Sequence, residues 1–164
     1  NLEFSLFITA QIIILLSFIL FNFPKAIIFL GDSGGYLMGS LIALNVIVTN
    51  NLNQNISSFF FCTLLFYIFF EVFFSFFRKL IQNKSPIYPD EKHLHMLSFY
   101  KISKFTGKDK GNFLNSLLIN VVYLVLIIPG LYFAESPALS RYWFFILLSI
   151  YLLIYFRLYH LTKN

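Results

Sequence analysis

The run "FPKAIIFLGDSGGYLMGS", Phe23 to Ser40, sets one carboxylate, Asp32, among the glycines Gly31, Gly34 and Gly35. Glycine tolerates positive φ and lets a backbone come close to a ligand. The apolar run after it would begin as a helix near Ser33–Tyr36, aiming free backbone N–H groups at one point. A helix N-terminus attracts phosphate, so Ser33 and Gly34 are the positions a phosphate would meet. A neighbouring carboxylate can hold Mg²⁺ shared with that phosphate, which makes Asp32 the candidate metal ligand. Two structural roles compete with this one: Asp32 as a helix N-cap, and Gly35-x-x-x-Gly39 as a small-residue packing face. The glycines do not form a P-loop, since no Lys-Ser or Lys-Thr comes after them.

Two further stretches carry chemistry. In "SPIYPDEKHLHML", Ser85 to Leu97, two prolines stiffen the approach and Asp90 is the expected N-cap of the next helix. His93 and His95 are two apart; a helix would turn them to different sides, and an extended segment would align them. Two histidines without a third ligand make a poor zinc site and suit phosphate oxygens better, or serve as interfacial side chains in a solvated loop. In "FFEVFFSFFRKL", Phe70 to Leu80, Glu71 is an acid inside an apolar run, a functional candidate by default. Arg78 comes two turns later on roughly the same face. Glu71 is therefore expected to orient Arg78, whose guanidinium suits a diphosphate; the plainer alternative is a pair near the interface, each reaching water.

The elements that must hold these residues are membrane helices. Hydrophobic residues make up 59% of the 164 and charged residues 12%, with 23 Phe and 10 Tyr, where a soluble domain is about 25% charged. The single cysteine, Cys62, excludes an intrachain disulfide and a cysteine-cluster metal site. The reading is an all-α, polytopic integral membrane protein with about five spans: Phe4–Phe21, Tyr36–Thr49, Ile56–Phe77, Phe113–Phe133 and Tyr142–Tyr159. The second is the shortest, and Pro129 and Gly130 should kink or end the fourth. Eight of the twelve basic residues lie between the third and fourth spans, so the 78–112 connection is expected to be cytoplasmic. Parity puts the 22–35 loop and the tail carrying Lys163 on that side too, so the aspartate loop and the basic loop share a compartment. The basic loop itself reads as a topology signal attracted to anionic lipid head groups, not as a nucleic-acid surface. The chain does not begin with Met, shows no signal peptide and would have its N-terminus outside. It is expected to be the later part of a longer polypeptide.

The motif "N-x-P-K-A-x-I-F-L-G-D-S-G-G", a span, then "R-K-L-I-x-N-K-S-P-I-Y-P-D-E-K-H-L-H" resembles the C-terminal half of the polyprenyl-phosphate N-acetylhexosamine-1-phosphate transferases, glycosyltransferase family 4. The resemblance covers about Asn22 to Leu97, and the Pro-Asp-x-x-His-Leu-His form is closer to the N-acetylglucosamine-type branch. It implies part of a larger helical transferase fold in the bacterial inner membrane with its active site toward the cytoplasm. It also implies Mg²⁺ (Mn²⁺ as a substitute), a UDP-N-acetylhexosamine and undecaprenyl phosphate as substrates, release of UMP, and room for a homodimer. Carried over by motif, Asp32 is the metal and catalytic aspartate; His93, His95, Arg78 and Asp90 belong to the substrate-binding set. The sequence departs from the pattern at Gly35, usually Ser, and at Met96, often His. The family's earlier acidic motifs have no counterpart here and would precede residue 1. A truncated or degenerate non-catalytic relative is therefore the alternative function, and the 164 residues alone are expected to be inactive.

Overall fold

The structure, a computed structural model, describes residues 2–24 and 27–163, the side chain of Lys163 excepted. Lys25 of the 22–35 loop and the Lys163 side chain lie outside the described residues. The chain folds into α1 (Leu2–Asn22), α2 (Gly31–Leu52), α3 (Ser58–Leu64), α4 (Phe66–Ile81), α5 (Leu94–Thr106), α6 (Lys108–Tyr132) and α7 (Pro137–Lys163), with no strand among the described residues. It is an all-α, polytopic membrane protein. α1, α2, α6 and α7 are each long and apolar enough to cross a bilayer, and α3 with α4 makes a fifth candidate as one bent span.

Element ends depart from the sequence reading for local reasons. α2 starts at Gly31 rather than Ser33–Tyr36, because Gly31 takes φ +69° and turns the chain directly into the helix. At 22 residues and about 1.5 Å per residue, α2 is not a short span. α6 starts at Lys108, ahead of Phe113, because Gly107 at φ +80° ends α5 and opens α6 without a loop. Pro129 lies inside α6, which runs on to Tyr132. The expected continuous span Ile56–Phe77 is broken, with α3 and α4 meeting at 76°; at this bend the Leu64 carbonyl accepts the Tyr123 hydroxyl. The connection between the third and fourth spans is itself largely helical, since α5 occupies it.

The chain divides into two compact units, Asn1–Asn53 and Gln54–Asn164. In the first, neither helix buries any residue, and Asn45 Nδ2 donates to Gln11 Oε1 at 2.7 Å across α1 and α2. The packing face read from Gly35 and Gly39 is open: a Cβ on either would meet nothing within 4 Å.

The second unit has a core of Phe66, Leu97, Leu147, Tyr151 and Tyr155. α5 and α6 pack so closely that a Cβ on Gly111 would lie 2.9 Å from Ser103 Cα. Asn115 of α6 donates from Nδ2 to the His95 carbonyl at 3.0 Å and accepts the Ser98 hydroxyl. α4 is arranged polar inward: Glu71, Ser75, Arg78 and Lys79 are buried, while Ile68, Phe69, Val72, Phe73, Phe76 and Phe77 are exposed. Lipid accepts the phenylalanines, and buried polar groups find partners among themselves.

Candidate functional site

In the first unit, Asp32 is the second residue of α2 and is exposed, as is Ser33 after it; Gly34 is half-buried. The N-cap position belongs to Leu30, which offers no side-chain cap. Asp32 is thus not the cap that the sequence allowed. Its carboxylate has no hydrogen-bond or ion-pair partner among the described residues. An acid in the first turn still complements the positive end of the helix dipole.

The second unit gathers Arg78, Asp90, His93 and His95 around α4. The Ser85–Lys92 segment is tied down at Pro86, Tyr88, Asp90 and Lys92. Lys79 Nζ donates to the Pro86 carbonyl at 3.2 Å and the Tyr88 carbonyl at 2.6 Å. Arg78 Nη2 donates to Ser75 Oγ at 3.2 Å and pairs with Asp90 Oδ2. Tyr155 of α7 donates to the Lys92 carbonyl at 3.0 Å. Its ring lies under the Arg78 guanidinium, 5.8 Å from centroid to Cζ. Two nitrogens of Arg78, Nε and Nη1, are buried without a hydrogen-bond partner.

Asp90 is not the cap of α5. His93 takes that position with φ −70° and ψ 151°, and Asp90 instead accepts the Lys92 amide on Oδ1 at 3.0 Å. Burial opposes ionisation of Asp90, but the Lys92 amide and the Arg78 guanidinium outweigh it and hold the carboxyl below its ordinary value. The histidines are neither both helical nor both extended. With His93 extended and His95 in the first turn, their rings stack at 5.5 Å and 15°. Burial holds the His95 imidazole below its usual 6.5; Glu71 opposes this and His93 adds to it.

Glu71 does not orient Arg78. It is 7% exposed and turns to α5 and α7, where its carboxylate meets His93 Nδ1 at 2.9 Å, the Leu94 amide at 3.0 Å and the Tyr151 hydroxyl at 2.5 Å. Arg78 takes its counter-charge from Asp90 instead.

The profile of glycosyl transferase family 4 matches residues 1–50. The undecaprenyl-phosphate alpha-N-acetylglucosaminyl 1-phosphate transferase of Thermotoga maritima is 35% identical over 91 residues, 56% of this chain and 30% of the relative. The chain resembles glycosyl transferase family 4. The matched stretch covers under a third of that relative's length. Being longer than the first unit it runs into the second, and wherever it lies in 164 residues it includes Arg78 and Asp90. No solved structure gives a significant match.

Sequence reasoning about the family-4 motifs left out Lys79 and Tyr151 and gave Glu71 the wrong partner. A signal existed. Tyr67, Glu71, Ser75 and Arg78 recur at helical spacing in a run otherwise rich in phenylalanine, and Tyr151, Tyr155 and Tyr159 do the same on α7. Each series marks an inward polar stripe.

Proposed function

We propose that this chain forms part of a membrane transferase that moves N-acetylhexosamine 1-phosphate from a UDP-sugar to undecaprenyl phosphate. The reaction takes place at the cytoplasmic face of the bacterial inner membrane and begins a cell-envelope polysaccharide. An oxygen of the lipid phosphate bonds to the sugar-bearing phosphorus, and the bond from that phosphorus to the bridging oxygen breaks, so that UMP leaves with the bridging oxygen. Exchanging one phosphoester for another needs chiefly neutralised charge and an in-line approach.

Arg78 carries the reading. Its side chain is 8% exposed and is fixed on one nitrogen by Asp90 and Ser75, with two buried nitrogens left without acceptors. Buried donors lacking acceptors are costly, and diphosphate oxygens satisfy a planar fork of this kind. His93 and His95 add ring nitrogens for phosphate oxygens, and the tied Ser85–Lys92 segment keeps all three in place before substrate arrives.

The residues present fit Mg²⁺ in the mode it favours. No group of three or more His, Cys, Asp or Glu converges among the described residues. Mg²⁺ commonly binds through one or two carboxylates, its remaining positions taken by water and substrate phosphate. Asp32, exposed and without a described partner, is the carboxylate that would hold it, with Mn²⁺ as a substitute. The ion would neutralise diphosphate charge when bound. Ser33 and Gly34 offer first-turn N–H groups to a phosphate.

The test is transfer from labelled UDP-sugars to undecaprenyl phosphate in membranes containing the longest native chain that includes these residues. Mg²⁺-dependent UMP release with lipid-linked sugar phosphate supports the reading. Nucleotide binding without lipid product supports a non-catalytic relative and overturns it.

A further inference from the structure

Glu71 is the buried acid of α4, with three contacts. The Leu94 amide donates to Oε1 at 3.0 Å and the Tyr151 hydroxyl donates to Oε2 at 2.5 Å, while His93 Nδ1 lies 2.9 Å from Oε1. With both carboxyl oxygens serving as acceptors, the ring proton facing Glu71 belongs on Nδ1. The Leu94 amide is one of the free donors at the start of α5, so the acid of one helix caps another. This arrangement is over-determined. The ring cannot rotate its Nδ1 away without leaving an oxygen that the first turn of α5 still holds in place.

We propose that Glu71 is a positioning residue for His93, holding the imidazole with its proton on Nδ1 and leaving Nε2 as the nitrogen that meets the substrate diphosphate. The proposal rests on the transferase reading for the identity of that substrate; the tautomer itself does not depend on it. The ring is 28% exposed, and the neighbouring His95 ring stacks on it, which limits tilting. With the ring protonated, Nε2–H donates to a phosphate oxygen and Glu71 supplies the counter-charge. Tyr151 acts one step further out: it occupies Oε2, while the Leu94 amide holds Oε1 at the histidine. A histidine oriented by an acid that is itself hydrogen-bonded is a known device for fixing tautomer and ring plane.

The experiment has two independent arms, both on the longest native chain. The first is ¹⁵N NMR of histidine-labelled protein in detergent, with and without UDP. It should show the His93 proton on Nδ1 in the wild type and in Tyr151→Phe, and a loss of that preference in Glu71→Gln. A wild-type ring protonated on Nε2 alone overturns the proposal whatever the activity. The second arm is a double-mutant cycle on sugar-phosphate transfer. Glu71→Gln should lower turnover roughly tenfold to a hundredfold, the range for removing a partner that orients a histidine. Adding it to His93→Ala should change turnover by less than about twofold. Losses that multiply in the double variant mean that Glu71 serves the fold alone, and the proposal fails. Should Glu71→Gln not accumulate, the wild-type and Tyr151→Phe spectra still decide. An absence of transfer in the wild type defeats the transferase reading and leaves the tautomer to the first arm.

Discussion

The two units are made of similar residues and packed in opposite ways. In Asn1–Asn53 the helices are apolar and bury nothing, and an Asn45–Gln11 bond joins them. In Gln54–Asn164 the buried set is mixed, with Glu71, Ser75, Arg78, Lys79, Ser98 and Asn115 inside alongside Phe66, Leu97 and Leu147. Hydropathy places both units in lipid and says nothing about which is packed. Lipid tails are as apolar as leucine, so helices in a bilayer gain little from apolar contact alone. Close approach at glycine and buried hydrogen bonds distinguish the second unit. The candidate residues show the same division: Asp32 is exposed and unpaired among the described residues, whereas Arg78, Asp90 and His93 are held by several neighbours each.

The largest effect should come from the loosely held residue. Asp32→Asn removes a charge without disturbing packing, so the protein should accumulate as wild type while turnover falls about 10²–10³-fold. Turnover measured against Mg²⁺ concentration checks this, and near-normal turnover with an unchanged Mg²⁺ requirement would remove Asp32 from the site.

In the second unit the same kind of change should act on the fold. Asp90→Ala leaves the Arg78 side chain, 8% exposed, without its counter-ion, which should cost about 3 kcal/mol. Hydrogen exchange should rise in α4 and the Ser85–Lys92 segment. If exchange there is unchanged, the pair contributes nothing to holding the segment.

Glycine substitutions separate the units more finely. Gly111→Ala must push α5 from α6, since the new Cβ would lie 2.9 Å from a backbone atom, and should destabilise by roughly 1–3 kcal/mol. Gly39→Ala meets open space and should gain up to about 1 kcal/mol of helix propensity. Thermal unfolding in detergent reads both; a loss at Gly39 would mean that another helix packs on that face.

The smallest effect concerns pH. His95 is held below 6.5 in the folded chain, so the unfolded chain binds the proton more readily. Stability of the second unit should be full above 6.5 and decline as pH falls from there toward the folded value. Residues 1–53 contain no histidine, so exchange in α1 and α2, corrected for intrinsic rate, should not change across that window. Equal sensitivity in both units would contradict this division.

The candidate residues were readable from residue order. Asp32 at a helix start, Arg78 in a phenylalanine-rich run and a histidine pair after Asp90 were visible, since each depends on neighbours a few positions away. The cap of α5 was misplaced because Asp90 is an excellent cap by type, and only the position of Arg78 shows that the carboxylate is engaged elsewhere. The break at Leu65 was illegible because the run is uniformly apolar, and the hydroxyl meeting the carbonyl at the bend comes from Tyr123, 59 positions on.

Residue order was enough to show that the protein is helical, lies in a membrane and carries a few polar residues within long apolar runs. Hydropathy, glycine conformational freedom and charge bias are local properties, and they are expressed wherever the helices end up. Only the tertiary structure decided which acid serves which base. Glu71 and Arg78 share a helix, yet Glu71 takes its hydroxyl partner from 80 positions away, while Arg78 takes its carboxylate from 12 away. Burial is the reason. Once α4 turns its polar side inward, each charge must find the nearest partner in space, and chain order does not say which partner that is.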